Sequence, residues 1–118
     1  MSEDASFGPV EHIRKRSDFQ RVYQHGSKVH SRFATLFTLP NALTVARLGI
    51  AATRKLGGAV ERNRAKRLIR EVFRRNKVAP GFDVVIVPKR ELLHAGLGAL
   101  ENDYRNSIAR SLSRRTRG

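Results

Sequence analysis

Val60-Glu61-Arg62-Asn63-Arg64-Ala65-Lys66-Arg67-Leu68-Ile69-Arg70-Glu71-Val72-Phe73-Arg74-Arg75-Asn76-Lys77 is the stretch on which the fold turns. At about 100° per residue, Ala65, Leu68, Ile69, Val72 and Phe73 fall within one arc of roughly 140°. Asn63, Lys66, Arg67, Arg70 and Arg74 fall on the opposite side, flanked by Arg64 and Arg75. The pattern predicts one helix with a core-facing side and a cationic side about 17 Å long, at 1.5 Å per residue. Residues 54–77 hold ten of the 24 basic residues and only two acids, Glu61 and Glu71. A merely solvated face would mix signs to gain i,i+4 pairs. Here Lys66 and Arg70, then Arg70 and Arg74, repel each other at that spacing by a few tenths of a kcal/mol each. A polyanion would relieve this repulsion. Most of these cations are Arg, which can grip phosphate with two bonds and stack on bases.

Working outward, Lys55-Leu56-Gly57-Gly58 breaks the pattern before the helix and Ala79-Pro80-Gly81 ends it. Phe82 to Val87 reads as a buried strand stopped by Pro88, and Leu92-Leu93 as one helical turn. Leu97, Leu100, Tyr104, Ile108 and Leu112 line one face of a last helix, followed by a basic tail, 113–118. Upstream, Ser17-Asp18-Phe19-Gln20 has capping-box spacing. Phe19, Val22 and Tyr23 then recur at helical intervals until Gly26. Phe33 to Leu39 is rich in aromatic and β-branched residues and reads as a strand. Phe33, Thr35, Phe37 and Leu39 are expected on one of its faces, and Ala34, Leu36 and Thr38 on the other. Pro40-Asn41 is a turn, and Val45 to Thr53 is expected as a second strand, antiparallel to the first by hairpin logic, with Gly49 a thin spot. Residues 1–12 read as a loose tail and 13–112 as one α+β domain.

The composition sets outer bounds. The 118 residues suffice for one core. A net charge of +14 calls for an anionic partner. A membrane surface is the weaker candidate, because a lipid-bound helix needs its apolar face free, and here the strands need that face. No cysteine is present, which removes disulfides, thiolate zinc sites and cysteine nucleophiles. No stretch approaches about 18 apolar residues and no signal peptide is evident, so a soluble cytoplasmic protein is expected.

Arg62-Asn63-Arg64 followed by Lys66-Arg67-Leu68-Ile69-Arg70 resembles the Arg-Asn-Arg helix of the bacterial ribonuclease P protein component. Arg54-Lys55-Leu56-Gly57-Gly58-Ala59-Val60 is similar to the lead-in of that family, and Ser17 through Gly26 to its first helix. The likeness covers about residues 13–112. It implies a single two-layer α/β sandwich in the order α-β-β-β-α-β-α. The sheet would be mixed with a left-handed β-α-β crossover, similar to a ribosomal protein S5 domain 2-like fold. That order has one more strand than the pattern supplies, which places a division in or beside Val45 to Thr53.

The resemblance further implies a subunit of a ribonucleoprotein whose catalytic RNA, using Mg²⁺ bound mainly by that RNA, removes the 5′ leader of precursor tRNA. Arg62, Asn63, Arg64, Lys66, Arg67, Arg70 and Arg74 would contact the catalytic RNA, with Arg54 and Lys55 adding charge. Phe19, Tyr23 and Phe37 would line a cleft for the single-stranded leader, where aromatic platforms and cations are the physical requirement. The family commonly has a tyrosine at the position of Phe37; stacking survives that change, a hydroxyl bond does not. One protein monomer per RNA is implied. A ribosomal or ribosome-assembly protein fits the same composition and is the competing reading.

No catalytic constellation stands out. His12, His25, His30 and His94 lack metal-ligand spacing, and the ten acids are scattered. His25 and His30 are the one conceivable acid/base pair of a metal-free ribonuclease. The expectation is a protein without catalytic side chains that screens phosphate repulsion and positions substrate.

Overall fold

Phe82 to Pro88 carries apolar side chains on both faces, so it is satisfied only at the centre of a sheet covered on both sides. The computed structural model, which describes residues 10–117 with side chains through Arg114, puts it there. The elements are α1 (Arg16–His25), β1 (Ser27–His30), β2 (Ala34–Pro40), β3 (Arg47–Ile50), α2 (Ala59–Arg75), β4 (Phe82–Pro88) and α3 (Leu97–Arg117). Short 3-10 turns occupy Arg54–Leu56 and Arg90–His94. The four strands lie in the order β1-β2-β4-β3. Strand β2 is antiparallel to both β1 and β4, while β3 runs parallel to β4, with α2 as the crossover between them.

Successive β4 residues feed two cores. Val84 and Ile86 join Leu36, Leu48, the α2 residues Ala65, Ile69, Val72 and Phe73, and the α3 residues Leu100, Tyr104 and Ile108. On the other face Val85 meets Ile13 and Val22, with Phe19, Phe37 and Leu39 packed around them. Helices α2 and α3 therefore cover one face of the sheet and α1 the other. Asp83 is the exception in this apolar strand and is fully buried. Arg47 answers it with two bonds, Nε to Oδ1 at 2.8 Å and Nη2 to Oδ2 at 2.6 Å, and Asn41 Nδ2 donates a third at 3.0 Å. A buried charge is tolerable only with such compensation.

Several expectations change. The segment Val45 to Thr53 does not hairpin onto β2. Only Arg47–Ile50 is strand, and it pairs with β4, because the more apolar β4 takes the central place beside β2. Asn41 steers the chain there, its Oδ1 accepting from Leu43 N–H and its Nδ2 donating to Val45 O. The strand missing from the pattern is β1, outside that segment, too short and too polar to announce itself. The capping box is absent: Lys15 is the N-cap, without a side-chain bond, and Ser17 is already helical. The chain enters α1 early because Ile13 N–H is bonded to Leu48 O. That anchor also removes residues 10–12 from the expected loose tail, since His12 bridges to Leu48 in parallel; residues 1–9 lie outside the described residues. Phe33 precedes β2 and packs against the α2/α3 core rather than beside Phe37. Helix α3 continues to Arg117 where a tail was expected, fixed by buried Ser111, whose hydroxyl meets that of Thr38, and by Arg114, which donates to Lys28 O. No helix among the described residues is long and apolar enough to cross a membrane.

Candidate nucleic-acid interface

Helix α2 starts where Gly57 adopts φ +146°, a region that L side chains rarely enter, and Glu61 Oε1 accepts the Gly58 N–H at 3.0 Å. This turn holds the first residue of the Arg-Asn-Arg triplet, since Arg62 Nη1 donates to Gly57 O at 3.0 Å. Asn63, Arg64 and Arg67 are exposed, and Lys66 and Arg70 half-exposed. Among the described residues none of Arg64, Lys66, Arg67 and Arg70 has a carboxylate within ion-pair distance. Arg74 differs from them. Its guanidinium lies 2.6 Å from Glu71, while Arg75 meets Glu71 at 3.6 Å and Glu101 at 3.0 Å. Those two arginines hold Glu71 below the usual carboxylate range, the Arg74 hydrogen bond contributing most. The cationic row thus divides into an open N-terminal part and a C-terminal end already partnered by the protein. Arg54 and Lys55 stand exposed on the 3-10 turn before the helix, which buried Leu56 pins down.

The N-terminal segment brings His12 within electrostatic reach of Arg70 on this face. Partial burial pushes the His12 pKa below the ordinary histidine value, and the charges of Arg14 and Arg70 push it further. No periodicity in the sequence could have placed His12 beside Arg70, because the link is a strand bridge to Leu48.

Across the sheet, α1 and β2 bring together the three aromatic rings expected to line the leader cleft. Tyr23, 39% exposed, sets its ring edge-on to Phe37 with centroids 5.0 Å apart, and Phe19 follows at 6.4 Å. Phe19 packs over Gly49, where a Cβ would come within 2.7 Å of its ring, so the thin spot in β3 is the seat of Phe19. Phe19 and Phe37 are half-buried and serve the core while presenting an edge to solvent. The Lys28 ammonium lies 5.6 Å from the centroid of Phe37 and completes a pairing of cation and ring. Lys28 escaped the sequence reading because β1 did; the alternation in Ser27-Lys28-Val29-His30 around buried Val29 was its only trace.

His30 Nδ1 contacts Thr35 Oγ1 at 3.2 Å, so one of its ring nitrogens is engaged away from His25. Glu101 and Asp103 diverge: the first meets Arg75 and Asn76, the second accepts from Ser31 Oγ at 2.7 Å. Among the described residues no three His, Cys, Asp or Glu side chains cluster as metal ligands would.

The family model described as Ribonuclease P matches residues 7–112. The ribonuclease P protein component of Clostridioides difficile is 32% identical over 108 residues, covering 89% of this chain and 95% of that one. That of Syntrophus aciditrophicus is 46% identical over 81 residues, covering 67% and 68%. Among solved structures, the Thermotoga maritima RNase P protein superposes with a TM-score of 0.73 at 32% identity, over 81% of this chain and 93% of that one. The Staphylococcus aureus RNase P protein gives 0.74 at 31%, over 86% and 94%. A helix with outward guanidinium groups on one face of the sheet and a cluster of aromatic rings on the other thus accompany likeness in sequence and in fold, and the chain belongs to the ribonuclease P protein family.

Proposed function

We propose that this protein serves ribonuclease P by docking the outer face of α2 on the catalytic RNA while the α1–β2 cleft holds the precursor tRNA leader. Membership of the family makes the chain the protein component of that endoribonuclease, which acts with an RNA subunit in processing tRNA 5′ ends. The observation that carries the reading of the face is the run Arg64, Lys66, Arg67, Arg70, solvent-facing and without carboxylate partners among the described residues. Asn63 adds a neutral donor and acceptor, Arg62 fixes the first turn, and Arg54 and Lys55 extend the charge. Arg74 contributes less than its position in the row suggests, because Glu71 holds it. Phe19, Tyr23 and Phe37 supply the stacking surface and Lys28 a phosphate partner. One protein binds one RNA. Mg²⁺ would supply the hydrolytic chemistry, held mainly by RNA phosphates. The protein lowers phosphate repulsion and orients the leader.

Reconstitution with the catalytic RNA tests this. At low Mg²⁺ the protein should raise cleavage of precursor tRNA well above that of RNA alone; equal rates would refute the role. Replacing Arg67 and Arg70 together by Ala should lower RNA affinity and reduce the slope of log K against log salt by about 0.7–0.9 per lost phosphate contact. An unchanged slope would place the RNA elsewhere.

A further inference from the structure

Beside Phe37 the sheet continues into the edge strand β1. Among the described residues helix α1 packs mainly over β2 and β4, and the β1 side chains Lys28 and His30 are exposed. The register sets Lys28 opposite Phe37 and His30 opposite Thr35, and directly opposed residues share a face. His30 and Thr35 therefore extend the row begun by Lys28 and Phe37, one pleat repeat further along. Two strand residues advance about 6.8 Å, a spacing comparable to one nucleotide step of an extended single strand. His30 is exposed and Thr35 half-buried. With Nδ1 held 3.2 Å from Thr35 Oγ1, the ring is oriented and Nε2 is the nitrogen left for another partner.

We propose that His30 is a specificity-determining contact for one leader nucleotide, the neighbour of the nucleotide on Phe37, and that it favours a purine there. Thr35 acts through His30 as a positioning residue. The inference rests on the cleft reading above. An imidazole offers a flat ring for stacking and an edge nitrogen for a hydrogen bond. Sequence preference among single-strand binders follows stacking strength, which the larger purine face increases.

The test uses the reconstituted holoenzyme and precursor tRNAs carrying a purine or a pyrimidine at each leader position in turn, with dissociation constants and single-turnover cleavage rates measured. The wild-type protein should prefer purine at one position. His30→Ala should abolish that preference and weaken the purine substrate about fivefold, the low end for one stacked base, with the single-turnover rate at saturation and the affinity for mature tRNA unchanged. His30→Phe should keep most of the stacking, and Thr35→Val should fall between. Phe37→Leu should disturb the adjacent position instead. If His30→Ala leaves the leader profile unaltered while Phe37→Leu and Tyr23→Ala weaken leader binding, the cleft stands and this inference fails. If none of the three matters, the cleft reading fails and takes the inference with it.

Discussion

Two single residues show how local environment sets behaviour. Tyr104 is buried between α2 and α3, 6.3 Å from Phe73, and its hydroxyl has no hydrogen-bond partner among the described residues. Burial pushes its pKa up strongly. An unpaired buried hydroxyl costs about 1–3 kcal/mol, so Tyr104→Phe should raise stability by about 1 kcal/mol, read as a higher urea midpoint at unchanged m-value. A fall in stability would mean that the hydroxyl has a partner. His12 titrates below the ordinary histidine range because burial and the cations Arg14 and Arg70 disfavour its protonated form. In the free protein it therefore favours folding above that range, and the contribution is lost as pH falls through the depressed value. A phosphate docked against Arg70 would cancel part of the cationic push and raise the His12 pKa, so binding takes up protons. RNA affinity should rise as pH is lowered from neutral, and the His12 ring resonances should titrate at higher pH in the complex; identical titration curves would separate His12 from the interface.

At the scale of elements, α2 carries two chemistries along one axis. Its first turns leave Arg64, Lys66, Arg67 and Arg70 to solvent, while Glu71 gathers Arg74 and Arg75 at the far end. Glu71→Gln should therefore tighten RNA binding and steepen its salt dependence by releasing charge at that end; weaker binding would show that the Glu71 pairs hold the helix in its working geometry. The two-sidedness of α2 was legible in the sequence because its apolar residues repeat at helical spacing, and so were β4, α3 and the aromatic content of α1 and β2. The partner of β3 was not. A hairpin is the cheapest closure for a local turn, yet pairing is decided by which strand has most apolar surface to cover, and that strand, β4, lies more than thirty residues downstream. Strand β1 was missed for the opposite reason, since its only buried residue is Val29. Lys28 went unseen with it, and His30 stood out only as half of a conceivable acid/base pair, so neither could be placed beside β2 from residue order. The capture of Arg74 was foreseeable in part, because Glu71 sits three residues before it.

For the whole molecule the governing quantity is a net charge of +14 on 118 residues. Self-repulsion of that size destabilises the free fold, and salt screens it, with a Debye length of about 10 Å at 0.1 M. The midpoint of thermal unfolding should rise with added salt for the protein alone and fall with salt for the complex, where screening costs binding. Parallel trends would deny the polyanion its part in stabilising the fold. The placement of α1 and α2 on opposite faces of one sheet has a further outcome. On the proposed reading the protein is bivalent: with the RNA subunit on one surface, capture of the leader by the other would become intramolecular, at an effective concentration on the order of millimolar. A grip too feeble to detect with a free oligonucleotide would then suffice in the assembled particle, and the leader could still depart quickly after each turnover.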